Sequence, residues 1–233
     1  TAGGNGTVSS TATIIAPAGF TGLNASSAAI TWTWALSYGA GNYQIVSSTG
    51  GNGQSPVLSA QTSVYTTTGL LANTTHTFLV RALSCGQNTD SAAFALATRA
   101  QAPELLAQSF PSAQADSIAA AWAARPAAPQ QDSAEGYLLE ASTAADFTGT
   151  ILSSSTPDVA LSTLTVVGLL PNTTYHFRAA ALNWAGALST FTALGSTSTL
   201  TDAVASAQFA GVFGPAIPAN WLPLPAAPPA ASS

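Results

Sequence analysis

From Ile30 the chain alternates large and small side chains, Ile30-Thr31-Trp32-Thr33-Trp34, and period-two alternation of this kind recurs throughout. Such spacing places every second side chain on one face of a strand, while helical periodicity is nearly absent. The pattern predicts strands over 30–34 and, after a turn-rich stretch at 37–42, over Tyr43-Gln44-Ile45-Val46-Ser47. A β-branched strand follows at 64–68. In the next, His76, Phe78, Val80 and Ala82 share one face, which points His76 inward, and a closing strand covers 93–98. The order then repeats: strands at 118–122 and 136–143, one carrying Leu164 and Val166, one with Tyr175, Phe177, Ala179 and Ala181 on one face, and a closing segment at 190–200. Many short strands separated by turn signals predict an all-β, antiparallel sandwich architecture.

The repetition is literal at one place. Gly69-Leu70-Leu71-Ala72-Asn73-Thr74-Thr75-His76-Thr77-Phe78 returns 99 positions later as Gly168-Leu169-Leu170-Pro171-Asn172-Thr173-Thr174-Tyr175-His176-Phe177. A period of that length matches one small domain, not a solenoid unit. Residues 17–100 and 101–200 are therefore expected to form two domains. Each should hold an aromatic core: Trp34, Tyr43, Leu70 and Phe78 in the first; Trp122, Tyr137, Leu169, Tyr175 and Phe177 in the second.

Both units resemble fibronectin type III domains. The likeness rests on a Trp at the end of the second strand (Trp34, Trp122) and on Gly136-Tyr137-Leu138-Leu139, which Asn42-Tyr43-Gln44-Ile45 approximates. It rests also on the corner Leu169-x-Pro171-x-Thr173-x-Tyr175 before the sixth strand. The first copy departs from that corner with Ala72 for Pro and His76 for Tyr, so a looser corner is expected there. The resemblance covers about residues 17–200 and implies tandem immunoglobulin-like sandwiches of a bacterial-type extracellular repeat protein. It implies nothing specific about activity.

The ends carry further echoes. Ile217 and Trp221 repeat the spacing of Ile30 to Trp34, and Phe209-Ala210-Gly211-Val212 echoes Phe20-Thr21-Gly22-Leu23. Residues 201–233 thus read as a partial third repeat with a Pro/Ala-rich tail. Residues 1–16 read as an N-terminal strand in which Val8, Ala12 and Ile14 alternate. Phe209, Ile217 and Trp221 at one end, and Val8, Ala12 and Ile14 at the other, are apolar strand faces without partners, hence candidate assembly elements.

Charge narrows the function classes. Only 6% of the 233 residues are charged, the four cations are all Arg, and the net charge is −5. Nucleic-acid backbones and anionic membranes call for clustered basic residues, so neither is an expected partner. No apolar run approaches the ~20 residues of a membrane span. So little charge suits an extracellular protein whose surface is covered by hydroxyls, O-linked glycans on Ser/Thr, or other subunits.

Catalytic chemistry finds no focus. His76 and His176 occupy neighbouring aligned positions in different copies, and none of the nine acids recurs between copies. No triad, metal site or facing carboxylate pair emerges, so neither catalysis nor a cofactor or metal is expected. Cys85, the single cysteine, is read as a buried thiol, with an intermolecular disulfide as the alternative, and Trp184 as an exposed loop residue suited to inter-domain contact, with stacking on a sugar as the alternative. Sequons occur at Asn5, Asn24, Asn73 and Asn172, the last two within the repeated turn, where Asn suits the backbone. The first expectation is therefore a non-enzymatic structural subunit that contacts copies of itself head to tail in a filament, stalk or surface layer. The competing one is a spacer or binding-module fragment of a larger secreted enzyme or adhesin.

Overall fold

The computed structural model describes residues 13–23, 25–48, 54–203, 208–209, 219–220 and 222, with backbone alone at 208–209. It is all-β apart from one short 3-10 turn at Gln130–Asp132. The chain divides into two compact units: 1–101 with 126–135 and 182–189, and 102–125 with 136–181 and 190–233.

In the first unit, β1 (Thr21–Leu23), β2 (Ala29–Thr33) and β5 (Val64–Thr68) form one antiparallel sheet in the order β1-β2-β5. The other sheet runs β4 (Leu58–Ser59), β3 (Asn42–Ser47), β6 (Thr75–Ser84), β7 (Gln87–Asp90), with β8 (Phe94–Ala97) also on β6. Its closing strand is therefore split. At the break the Ser91 hydroxyl accepts from Val80 N–H at 3.0 Å, standing in for a ladder carbonyl. Between the sheets lie Ile30, Trp32, Trp34, Tyr43, Ile45, Leu70, Phe78, Val80 and Ala82. Alternation dictates this: Ile30, Trp32 and Trp34 are two apart and all point inward. Trp32 is fully buried. It stacks on Phe20 at 5.2 Å, meets Phe78 at 5.1 Å, and its Nε1–H donates to Thr67 Oγ1 at 3.1 Å.

The second unit has β9 (Ser112–Ala113), β10 (Ser117–Ala121) and β13 (Thr163–Val167) in one sheet, order β13-β10-β9. The other runs β12 (Ile151–Thr156), β11 (Gly136–Ser142), β14 (Thr174–Leu182), β15 (Thr192–Ser198). Ala120 occupies the position that Trp32 fills in the first unit, and an edge-on pair, Phe110 and Phe177 at 5.2 Å, supplies aromatic bulk to this core. Trp122 packs edge-on against Tyr137 at 5.2 Å, as Trp34 tilts against Tyr43 at 5.7 Å. All nine residues expected in the two cores are buried. The paired sheets are those expected for tandem immunoglobulin-like sandwiches.

Beyond residue 203, β16 (Gln208–Phe209) pairs antiparallel with β17 (Ala219–Asn220). Two short strands thus fall where the third echo of the repeat was read. Val8, Ala12, Ile217, Trp221, Asn5 and Asn24 lie outside the described residues.

Candidate functional site

The feature built twice is the Asn-Thr-Thr turn. Asn73 and Asn172 both adopt left-handed backbone, φ 48° and 49°, which Asn tolerates better than most residues. Each donates its N–H at 3.0 Å to the closing strand's exit, Asn73 to Arg99 O and Asn172 to Leu200 O. Each following Thr donates its hydroxyl back across the turn: Thr74 to Ala72 O at 2.8 Å, Thr173 to Pro171 O at 2.9 Å. A threonine on the closing segment locks both. Thr98 Oγ1 donates to Leu71 O, and Thr199 Oγ1 to Leu170 O, each at 2.6 Å. The corresponding bond lengths in the two turns agree to within a few tenths of an ångström.

Their surroundings differ. In the first unit the Asn73 side chain is 0% exposed. Its Nδ2 donates to Ser133 O at 3.3 Å, and its Oδ1 accepts from Trp184 N–H at 2.9 Å. Beside it Asn183, also buried, donates Nδ2–H to Thr98 O at 2.9 Å. The Asn183 Oδ1 meanwhile accepts from Ala185 N–H at 3.1 Å and Ala187 N–H at 2.7 Å, which holds its own loop in shape. Two amide side chains thus clip residues 126–135 and 182–189 onto the turn within one compact unit. Neutral amides, each donating and accepting, make such a joint with no charge to desolvate. Asn172, by contrast, is exposed.

The opposite end of the first unit is a hairpin. Ser84 pairs with Gln87 across Cys85 (φ 44°) and Gly86 (φ 80°), a two-residue turn with both central residues left-handed. A surface depression of about 280 Å³ is lined there by Asn42 and residues 83–88. Cys85 is exposed at its tip. The expectation of a buried thiol fails because the tight turn carries it beyond the last core residue of β6.

No converging catalytic group is seen among the described residues, and no group of three or more His, Cys, Asp or Glu could hold a metal ion there. Arg81 is fixed in a bidentate pair with Asp90 at 2.7 and 2.8 Å. That hydrogen bond, chiefly, raises the Arg81 pKa against the opposing effect of burial. Arg178 bonds Glu140 at 2.7 Å, and its guanidinium lies 4.0 Å from the ring centres of both Phe147 and Phe191. Both faces and the edge of that cation are committed, so it staples β14 to β11. The sequence reading missed this cluster because its members are scattered from 140 to 191. Burial pushes the Tyr137 phenol up from its ordinary value, against the lowering effect of the Arg125 N–H that donates to it at 2.6 Å.

Both corners are bonded, but with opposite polarity. Tyr175 accepts from Leu170 N–H at 2.9 Å. His76, expected to bond its corner poorly, lies half-buried with Nε2 3.0 Å from Leu71 O. A carbonyl only accepts, so Nε2 carries the hydrogen, and the polarity of the Tyr175 bond is reversed. Of the proposed assembly residues, Ile14 packs against the core of the first unit, and the Ile15 N–H donates to Tyr38 O at 3.3 Å. Phe209 lies in β16. Trp184 is half-exposed, with its backbone engaged by Asn73. The sequon at Asn73 is closed in the folded chain, since Nδ2 is buried and bonded, whereas that at Asn172 is open.

No family model and no curated protein matches the chain. Among solved structures, the FN1–FN3 domains of chicken CNTN1 are similar over 80% of this chain and 68% of that one, at 19% identity and TM-score 0.47. A two-domain fibronectin type III segment of chicken tenascin is similar over 78% of this chain and 99% of that one, at 15% identity and TM-score 0.41. At these identities the likeness concerns the fold alone.

Proposed function

We propose that the chain is a non-enzymatic extracellular structural subunit, built of tandem sandwiches and contributing to a filament, stalk or surface layer. One observation carries the reading: the two copies repeat the Trp–Tyr pair of their cores and the bonds that close their Asn-Thr-Thr turn, but repeat no titratable side chain of the surface. The first copy carries Arg81–Asp90 on its larger sheet, and the second carries Arg178–Glu140 at other positions. What is duplicated is therefore framework, not a reacting group. The low charge supports close lateral packing, because few ions need desolvation. Among the described residues no helix is long and apolar enough to cross a membrane.

A spacer within a larger secreted enzyme or adhesin is the second reading, and the β16–β17 ladder favours it, since strand pairing resumes after the second sandwich. Sedimentation velocity across a hundredfold concentration range, with negative-stain imaging of the same samples, decides between them. Growing polymers support the structural subunit. A monodisperse monomer throughout leaves the spacer.

A further inference from the structure

Resting on that structural reading, we propose that the exposed Asn172 turn is a docking socket for a second copy of this chain, which inserts its Cys85 hairpin and the loop at 37–41. The occupant is identified by the socket's own twin. Around Asn73 the same turn, with the same φ and the same locking threonine, is filled by three groups: the Ser133 carbonyl, the Trp184 N–H and the Asn183 side-chain donor. Around Asn172 the three complementary groups, Nδ2, Oδ1 and the Thr199 carbonyl, belong to an identically built frame, and the Asn172 side chain is exposed.

The first unit carries counterparts of all three inserting groups. Gly41 N–H bonds Leu83 O at 2.9 Å, just as Glu135 N–H bonds Leu182 O at 2.9 Å, which aligns the two loop pairs. Counting from these pairs, Gly39 takes the place of Ser133, Ser84 that of Asn183, and Cys85 that of Trp184. Gly39 offers a carbonyl to Asn172 Nδ2. Cys85, at the first central position of a two-residue hairpin turn, has its N–H outside the ladder and offers it to Asn172 Oδ1. The Ser84 hydroxyl offers a donor to the Thr199 carbonyl in place of the Asn183 amide. All six groups are uncharged, so the contact is insensitive to moderate salt. The two surfaces lie on different units and differ from each other, so the contact is heterologous and propagates in one direction.

The single cysteine makes the contact testable. Full-length chain bearing only its natural Cys85 is mixed with a tagged Cys85→Ser, Leu200→Cys chain and treated with a short bismaleimide. Leu200 follows Thr199 and is exposed, so its replacement leaves the core intact. The expected product is a mixed 85–200 dimer. It should fall at least about tenfold when the tagged chain also carries Asn172→Gly, which keeps the left-handed turn but removes both side-chain bonds. A chain that polymerises without mixed product, or with product indifferent to Asn172→Gly, overturns the socket and leaves the structural reading standing. A chain that remains monomeric and gives no mixed product overturns both.

Discussion

Replacing Asn73 and Asn172 by Gly, one at a time, makes a matched experiment. The two residues share sequence context, φ and main-chain bonds. Glycine adopts the left-handed turn freely, so the backbone cost of the change is common to both and amounts to at most about 1 kcal/mol through the unfolded chain. At Asn73 two further losses occur: Ser133 O loses a donor at 3.3 Å, and Trp184 N–H loses an acceptor at 2.9 Å. A buried group left without its partner costs about 1–3 kcal/mol, and both losses fall at the low end, because the Ser133 bond is long and Trp184 is half-exposed. Asn73→Gly should therefore destabilise the first unit by about 2 kcal/mol beyond the shared term, and Asn172→Gly at low protein concentration by the shared term alone. Urea unfolding followed by tryptophan fluorescence reads this, fitted as two transitions. Hydrogen exchange at the Trp184 amide gives the local measure: it should speed up at least about tenfold in Asn73→Gly. Equal losses at 73 and 172, with Trp184 exchange unchanged, would refute the idea that the buried amide clip holds 126–135 and 182–189 in place.

Further outcomes follow from the cores and corners. Tyr175→Phe removes the phenol that accepts from Leu170 N–H and should cost about 1–1.5 kcal/mol in thermal melts. His76→Phe should cost less, because Leu71 O keeps the 2.6 Å bond from Thr98 Oγ1; a larger loss at 76 would contradict this. Gly22→Ala would set a Cβ 2.7 Å from the Trp32 ring and 2.8 Å from Leu96, so it should destabilise the first unit by about 1–3 kcal/mol; a neutral result would mean that the Trp32 ring sits elsewhere. Burial raises the Tyr137 phenol pKa, so the folded chain holds its proton after the unfolded chain has released it at about pH 10. Stability of the second unit that is present below that pH should fall as pH rises beyond it, and Tyr137→Phe should flatten this alkaline limb in a pH series of unfolding free energies.

Much of the framework was legible in the order of residues. Alternation places Ile30, Trp32 and Trp34 on one face, because a strand has period two whatever surrounds it, and the inward face of a sandwich strand must be apolar. The strand at 64–68 was read to the residue, and the 99-residue echo announced the duplication. Short edge strands such as β4, β7, β9 and β12 were not anticipated, since two to six residues rich in Ser, Gln and Thr carry almost no hydrophobic signal.

The candidate site shows the boundary most clearly. The repeated sequence determined the Asn-Thr-Thr turn: the same residues at 73 and 172 give nearly the same φ and the same main-chain bonds, because the partners are supplied by the turn and by the closing segment of the same repeat. It could not determine that Asn73 is sealed while Asn172 stands open. The difference rests on Ser133 and Trp184, which lie 60 and 111 positions along the chain from Asn73. The same holds for the caged Arg178, which is held by Glu140, Phe147 and Phe191. Burial and hydrogen-bond pairing depend on which distant atoms arrive within about 3 Å, and only the folded chain brings them there.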